Sequence, residues 1–381
     1  VLHRSQALAA VMGGSRRVAI AGANGKTTTT SMLAVALTHA GADPSFASGA
    51  EIAQLGTNAA LGAGDAFVVE ADESDGSFLA YRPEIAVVTN VQPDHLDFYG
   101  TTERLVDAYT AFAESLTDGG LLVACWDDAG SRALAERTRS RGSRVVTYGR
   151  SEGADLHIEA TSETGLGTRS TIRHLGVPRV LDLMVPGGHN VENACAALLA
   201  ACTGLGADVD DVLGGLATFA GARRRFEVRG EVRGVTVVDD YAHNAPKVAA
   251  VVGTASALVR RSGDGRLHVI FQPHLYSRTR DFAAEFARAL APADDVVVLD
   301  VYGARESPVE GVSSALIGDP LAALDPGPDT VEVGGAPADV VHRVAARAER
   351  GDLVLTVGAG DVTALAPLLL EALRRTGGGE P

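Results

Sequence analysis

Lys26 stands in Ala21-Gly22-Ala23-Asn24-Gly25-Lys26-Thr27-Thr28-Thr29-Thr30, directly after the apolar run Val18-Ala19-Ile20, and is one of two lysines in 381 residues. An apolar run ending in glycine, then Gly-Lys-Thr, then Met32, Leu33, Val35, Ala36 and Leu37 at helical spacing, is the layout of a phosphate-binding loop between a strand and a helix. Gly22 and Gly25 let backbone N–H groups curl round phosphate oxygens, and the helix start adds the positive end of its dipole. Lys26 offers a compact charge to the outer phosphates, and the Thr27 hydroxyl can bind Mg2+. Ile20 occupies the place of the full pattern's first glycine, so the alternative is a plain strand-to-helix connection with a solvated lysine.

Other chemistry-bearing residues also follow apolar runs. Glu70-Ala71-Asp72-Glu73-Ser74-Asp75 comes after Ala66-Phe67-Val68-Val69, where acids of a parallel sheet reach a phosphate loop, and carboxylate oxygens suit Mg2+. A solvated acidic turn is the other reading. Thr89-Asn90-Val91-Gln92-Pro93-Asp94-His95 follows Ile85-Ala86-Val87-Val88, so His95 is either a loop histidine or a metal or phosphate contact. Asp239-Asp240-Tyr241-Ala242-His243-Asn244 and Gln272-Pro273-His274-Leu275-Tyr276-Ser277-Arg278-Thr279-Arg280 end two further runs, where doubly wound sheets place ligands. Arg278 and Arg280 suit carboxylates or phosphates, or else form salt bridges at a helix start. Gly358-Ala359-Gly360-Asp361 closes the last run and is weak evidence by itself.

These residues need a sheet to position them. Short Val/Ile-rich runs alternate with Ala/Leu/Arg stretches, which predicts an α/β chain with a mostly parallel sheet wrapped by helices. Residues 151–186 alternate polar and apolar, as small antiparallel strands do, and an Ala-rich helix is expected from about Asn190 to Leu205. The pattern restarts after Gly221-Ala222-Arg223-Arg224-Arg225-Phe226, which predicts domains over 1–221 and 222–381. The tail from Gly377 is expected to be disordered. A net charge of −15 argues against nucleic acid and anionic membranes as partners. Cys125, Cys195 and Cys202 lack metal-ligand spacing and read as buried free thiols. With no long apolar segment and no leader, the cytoplasm is the expected location.

Eight of these motifs, in order and over nearly the whole chain, resemble the Mur ligases of cell-wall synthesis. They are Gly22–Thr30, Glu70–Phe78, Thr89–Tyr99, His189-Asn190 with Asn193, Arg224-Arg225-Phe226, Asp239–His243, Phe271–Asp281 and Gly358–Asp361. EADESD with FQPH-x-Y-x-R-T-R is nearest the alanine-adding branch. The resemblance implies a P-loop ATPase domain with a mostly parallel sheet and a small antiparallel subsheet, followed by a Rossmann-like α/β domain. It also implies an N-terminal UDP-sugar-binding domain, which Val1 would follow. That domain is removed or unrecorded, or else lacking in a protein that serves another acid.

The implied chemistry is ATP- and Mg2+-dependent amide formation through an acyl phosphate, adding L-alanine to UDP-N-acetylmuramate in peptidoglycan synthesis. Both substrates are small molecules. By motif position, Gly22, Ala23, Asn24, Gly25, Lys26, Thr27 and Thr28 would hold the phosphates, with Lys26 stabilising the transferring group. Thr27 and Glu70 would bind one metal and His95 would touch the second. Asn190 and Asn193, with His189 beside them, would contact adenine. Arg225 and Asp240 would approach the nucleotide from the linker and the C-terminal domain, which implies domain closure. Arg278 would hold the amino acid's carboxylate, with Tyr241 and His243 on its amine side. Some family members bind the second metal through a carbamylated lysine, but Lys26 and Lys247 are the only lysines and neither is free for that role.

Three departures fall at these sites: Ala23-Asn24 for the branch's usual Thr-His, Asn244-Ala245-Pro246 for His-Pro-Thr, and Leu275 for a frequent arginine. They keep two alternatives open, a related ligase joining an amino acid or peptide to another carboxylate in recycling or natural-product assembly, and an ATP-binding module without catalysis.

Overall fold

The computed structural model describes residues 4–263 and 265–375; the glycine-rich tail from Gly377 lies outside them. Two compact units divide the chain, Val1–Arg223 and Arg224–Pro381.

In the first unit ten strands form one sheet: β1 (Arg16–Ala21), β2 (Ser45–Ile52), β3 (Thr57–Ala60), β4 (Ala66–Glu70), β5 (Ile85–Val88), β6 (Leu121–Cys125), β7 (Arg144–Gly149), β8 (Leu156–Thr164), β9 (Gly167–His174) and β10 (Val177–Leu183). Their order is β10-β9-β8-β7-β6-β5-β1-β4-β2-β3. Pairing is parallel from β2 through β8, and only β3, β9 and β10 join antiparallel to a neighbour. The antiparallel strands expected over 151–186 therefore extend the main sheet through the short β7–β8 pairing.

Burial on both faces explains why these strands read as continuous apolar runs. Val18, Ile20, Val68, Val87 and Val123 pack to one side with Met32, Leu33 and Val191 from covering helices. Ala19, Ala21, Val69, Val88 and Leu122 pack to the other, against Phe78, Tyr109 and Phe112. β2 escapes a reading by composition, because Ser45-Phe46-Ala47-Ser48-Gly49-Ala50 is mostly small residues and becomes a strand by pairing with β4. The Ala-rich helix begins at Gly188, is α-helical to Leu199 and continues as π-helix over Ala200–Leu205. Arg16 ties down that wide turn, donating to the carbonyls of Gly204 and Leu205 while paired with Glu84.

The second unit has six strands: β11 (Glu227–Val232), β12 (Val235–Asp240), β13 (Leu267–Phe271), β14 (Asp295–Val298), β15 (Thr330–Val333) and β16 (Leu353–Val357). Their order is β11-β12-β16-β13-β14-β15, all parallel except β11 against β12. Val238, Val269, Phe271, Val296 and Leu355 face one core, and Val237, Ile270, Val297 and Val354 face the other. Cys125 and Cys195 are buried free thiols, whereas Cys202 is half-buried. Among the described residues no helix is long and apolar enough to cross a membrane.

Candidate active site

Strand order brings the first three motifs together. β1 lies between β4 and β5, in register Ile20 with Glu70 and Ala21 with Val88, so the loops after all three strands leave the same sheet edge. Gly25 takes φ +87, a left-handed conformation, and opens the helix Lys26–His39. Thr89 and Asn90 fasten the loop to β5: Thr89 Oγ1 and Asn90 Nδ2 donate to Asn24 O at 2.6 and 3.0 Å, and Asn90 Oδ1 accepts from Asn24 N at 3.0 Å. Asn24 Nδ2 donates to Gln92 Oε1 at 3.3 Å. Ala23 is buried below it. The Asn24 departure is thus a loop residue held mainly through its own backbone.

Lys26 Nζ donates to Gly22 O at 2.7 Å and to both carboxylate oxygens of Glu73, at 2.9 and 2.8 Å. Glu73 is fully buried. Burial raises its carboxyl above the ordinary value, a rise that Lys26 offsets only in part. The Tyr99 hydroxyl donates to Glu73 O at 2.5 Å, fixing the backbone that aims the carboxylate. Glu73 is absent from the residues the motifs assign a role, although it lies within the quoted acidic run; nothing in that run says which acid turns back toward the lysine.

Glu70 has different partners. Its Oε1 accepts from Thr27 Oγ1 at 3.0 Å and its Oε2 from Gly49 N at 2.6 Å. Thr27 and Glu70 therefore converge as expected, offering the hard oxygen donors that Mg2+ prefers. His95, at φ +52, lies beside Glu73, with Nε2 4.0 Å from Glu73 Oε1. Ligand atoms of Asp72, Glu73 and His95 all lie within 4.8 Å of one another, close enough to share one cation. Both donor sets fit a divalent metal.

Asn190 and Asn193 are buried in the helix Gly188–Leu199. Asn193 Oδ1 accepts from Thr29 Oγ1 at 3.3 Å, and a Cβ on Gly25 would collide with it, so this helix presses on the phosphate loop. Asn190 Nδ2 donates to Pro186 O at 2.7 Å. His189 is exposed at the helix start.

In the second unit the loops after β12, β16 and β13 share one edge. Asp240 is a buried clamp whose carboxylate accepts from Phe226 N and Ala242 N, both at 2.7 Å. Arg224 and Arg225 lie over the Tyr241 ring, 4.8 and 5.5 Å from its centroid. Arg278 Nη1 donates to His243 O at 3.1 Å, and His243 Nδ1 donates to Tyr241 O at 2.9 Å. Burial, with Lys247, Arg278 and His274 nearby, lowers the His243 pKa to about 3, so the ring is neutral at physiological pH. His274, also unassigned by the motifs, stacks on Tyr302 and meets His243 at ring-centroid distances of 5.9 and 6.0 Å; its Nδ1 is buried without a hydrogen-bond partner among the described residues. Asn244 has a local role, capping the helix Ala245–Ser262 by accepting from Lys247 N at 3.0 Å.

The first unit thus gathers a glycine-rich loop ending in Lys26 beside Glu70, Glu73, Asp72 and His95, and the second carries arginine and histidine at the carboxyl edge of a mostly parallel sheet. Residues 20–201 match the Mur ligase middle domain and residues 224–360 the Mur ligase, glutamate ligase domain. The chain belongs to the Mur ligase family. It is similar to the UDP-N-acetylmuramate–L-alanine ligase of Arthrobacter sp. (strain FB24), with 54% identity over 383 residues covering 98% of this chain and 77% of that protein. It is equally similar to the ligase of the same name from Kineococcus radiotolerans, with 54% identity over 377 residues covering 98% and 78%. The crystal structure of UDP-N-acetylmuramate-alanine ligase MurC from Thermotoga maritima superposes with a TM-score of 0.80 at 27% identity, covering 97% of this chain and 78% of that one.

Proposed function

We propose that the chain catalyses ATP-dependent joining of L-alanine to the carboxylate of UDP-N-acetylmuramate in peptidoglycan synthesis. The observation that carries the ATP half is the loop itself, with Lys26 at its end and Thr27 Oγ1 on Glu70. Similarity to L-alanine ligases over nearly the whole chain supports the choice of substrates.

In this reading the first unit holds the nucleotide. Backbone N–H groups from Gly22 to Thr28 cradle the phosphates, and Lys26 stabilises charge on the γ-phosphoryl group as the substrate carboxylate attacks it and ADP leaves. Thr27 and Glu70 would hold one Mg2+, and His95, with Glu73 and Asp72 beside it, would face a second. A bound Mg2+ neutralises phosphate charge during transfer. Asn190, Asn193 and His189 belong to the nucleotide's surroundings. The second unit holds the amino acid. Arg278 pairs with its carboxylate, and neutral His243 with Tyr241 shapes the amine side. The amine attacks the acyl phosphate carbonyl, forming the amide, while phosphate departs with the acyl–oxygen electron pair and the nitrogen loses its proton. Arg225 and Asp240 complete the nucleotide-responsive set; Asp240 does so by holding the backbone after Arg225. A cytoplasmic location is part of this reading.

Phosphate release by the full-length gene product, measured with UDP-N-acetylmuramate, Mg-ATP and a panel of amino acids, tests it. Release that needs all three substrates and favours L-alanine is expected, and Lys26→Ala abolishes it. No release, or release with another acid only, refutes the substrate assignment.

A further inference from the structure

Three observations meet at Lys26. Its ammonium is held by both oxygens of one carboxylate, Glu73, and by one carbonyl, Gly22 O, so all three ammonium protons have acceptors within 2.9 Å. The pair is enclosed: the Lys26 side chain is 12% exposed and that of Glu73 1%. The carboxylate is braced from behind, since Glu73 O takes the hydroxyl of buried Tyr99 and the chain on either side carries Asx turns, Asp72 Oδ1 to Ser74 N and Asp75 Oδ1 to Ser77 N. Phosphate needs the same ammonium. A charge fully engaged by a buried carboxylate must give up at least part of that pairing before it can serve a phosphate oxygen.

We propose that Glu73 is a positioning residue that latches Lys26 in the nucleotide-free loop and surrenders it to the incoming phosphate. The latch keeps a buried ammonium paired when no nucleotide is present, and it makes nucleotide without metal a poor ligand. Phosphate then has to displace one carboxylate while that same carboxylate repels it. A divalent cation reverses the balance, because the freed Glu73, with Asp72 and His95 within reach, becomes a metal-facing group. This rests on the nucleotide-site reading above and adds a residue to it.

Lysine scarcity helps the test, since Lys26 and Lys247 are the only two lysines in these 381 residues and the peptides that carry them can be followed one by one. The full-length protein and its Glu73→Gln variant, both free of nucleotide, are acetylated and both lysines are followed by mass spectrometry. Expected are slower reaction at Lys26 than at Lys247 in the wild type, and an increase of about tenfold at Lys26 alone in the variant, the factor for losing one charge-assisted hydrogen bond. In EDTA the variant binds ADP about tenfold more tightly on the same scale. Wild-type Lys26 reacting as fast as Lys247, or a folded variant with unchanged Lys26 reactivity and unchanged or weaker metal-free ADP binding, overturns the latch. Should Glu73→Gln not fold, Glu73→Asp, whose carboxylate stands one methylene further back, is expected to raise Lys26 reactivity; an unchanged rate there overturns the proposal. Failure of every form to bind ADP refutes the nucleotide-site reading, whereas the labelling ratio judges the latch by itself.

Discussion

Gly22→Ala is the sharpest perturbation of the phosphate loop. Gly22 sits at φ +137, where an L residue is strained, and a Cβ there would collide with Thr89 Oγ1 and stand 3.1 and 3.2 Å from Asn90 N and O. The backbone contacts cannot yield as a side chain can, and Thr89 Oγ1 can yield only by losing its bonds to Ala21 O and Asn24 O. Strain at such a φ costs about 1–3 kcal/mol. Each lost hydrogen bond adds about 1 kcal/mol. A penalty of about 3–5 kcal/mol set against the nucleotide-ready loop weakens MgADP binding by between a hundredfold and a few thousandfold, at about 1.4 kcal/mol per decade. Isothermal titration calorimetry with MgADP reads the loss, and circular dichroism checks that the unit remains folded. Thr89→Ala in the same chain removes the side-chain collision but keeps the strain and itself gives up both hydrogen bonds, so the double variant is expected to bind about as weakly as the single, a non-additive pair. A folded Gly22→Ala protein with near-wild-type affinity, or a double variant weaker than the single, refutes the reasoning.

Other outcomes follow from the same geometry. Glu70→Gln, which keeps the shape but halves the oxygen donors facing Thr27, is expected to weaken Mg2+ dependence of turnover at least tenfold in a magnesium titration. Arg278→Lys loses the planar fork and is expected to raise KM for the amino acid about tenfold or more with a smaller change in kcat, as steady-state kinetics would show. His268 is buried with Nδ1 2.9 Å from Asp295 Oδ2 and Nε2 2.9 Å from Asp352 Oδ2, so His268→Leu removes the cation between two buried carboxylates and is expected to cost the second unit about 3 kcal/mol in urea unfolding. Burial lowers the His268 pKa, but the two aspartates raise it past that loss to above 6.5; its stabilisation is complete below 6.5 and fades as pH climbs through the folded value. Burial likewise raises the Asp295 pKa, but hydrogen bonds to His268 and Thr330 and the charge of Arg347 hold it at about 2, so its contribution is complete above 3.8 and fades as pH falls toward 2. The second unit's stability is therefore expected to be greatest between 3.8 and 6.5, with that dependence flattened in His268→Leu.

Residues that act through a local motif were legible in the sequence. Lys26, Thr27 and Glu70 follow buried strands, and strand runs buried on both faces can be read without a partner, so the sheet edge that gathers them could be inferred. Glu73 was not legible in its role, because four acids occupy six positions from Glu70 to Asp75 and only the turn after β4 selects the one that reaches back. Asp240 was legible as important, yet its carboxylate is spent on Phe226 N and Ala242 N, a task visible only once the linker folds against β12. His268 reads as one more residue of an apolar strand, since its acidic partners lie 27 and 84 positions away. β2 is quiet for a related reason: small residues form that strand because β4 supplies the ladder.

In the proposed reaction a carboxylate is activated by phosphoryl transfer from ATP at the Lys26 loop. This step is tested most directly by placing 18O in both carboxylate oxygens of UDP-N-acetylmuramate and following the label during turnover with L-alanine and Mg-ATP by mass spectrometry. Transfer of one 18O per turnover into inorganic phosphate, with the other kept in the amide carbonyl and ADP as co-product, is the predicted result. Unlabelled phosphate, or formation of AMP and pyrophosphate, would contradict the account.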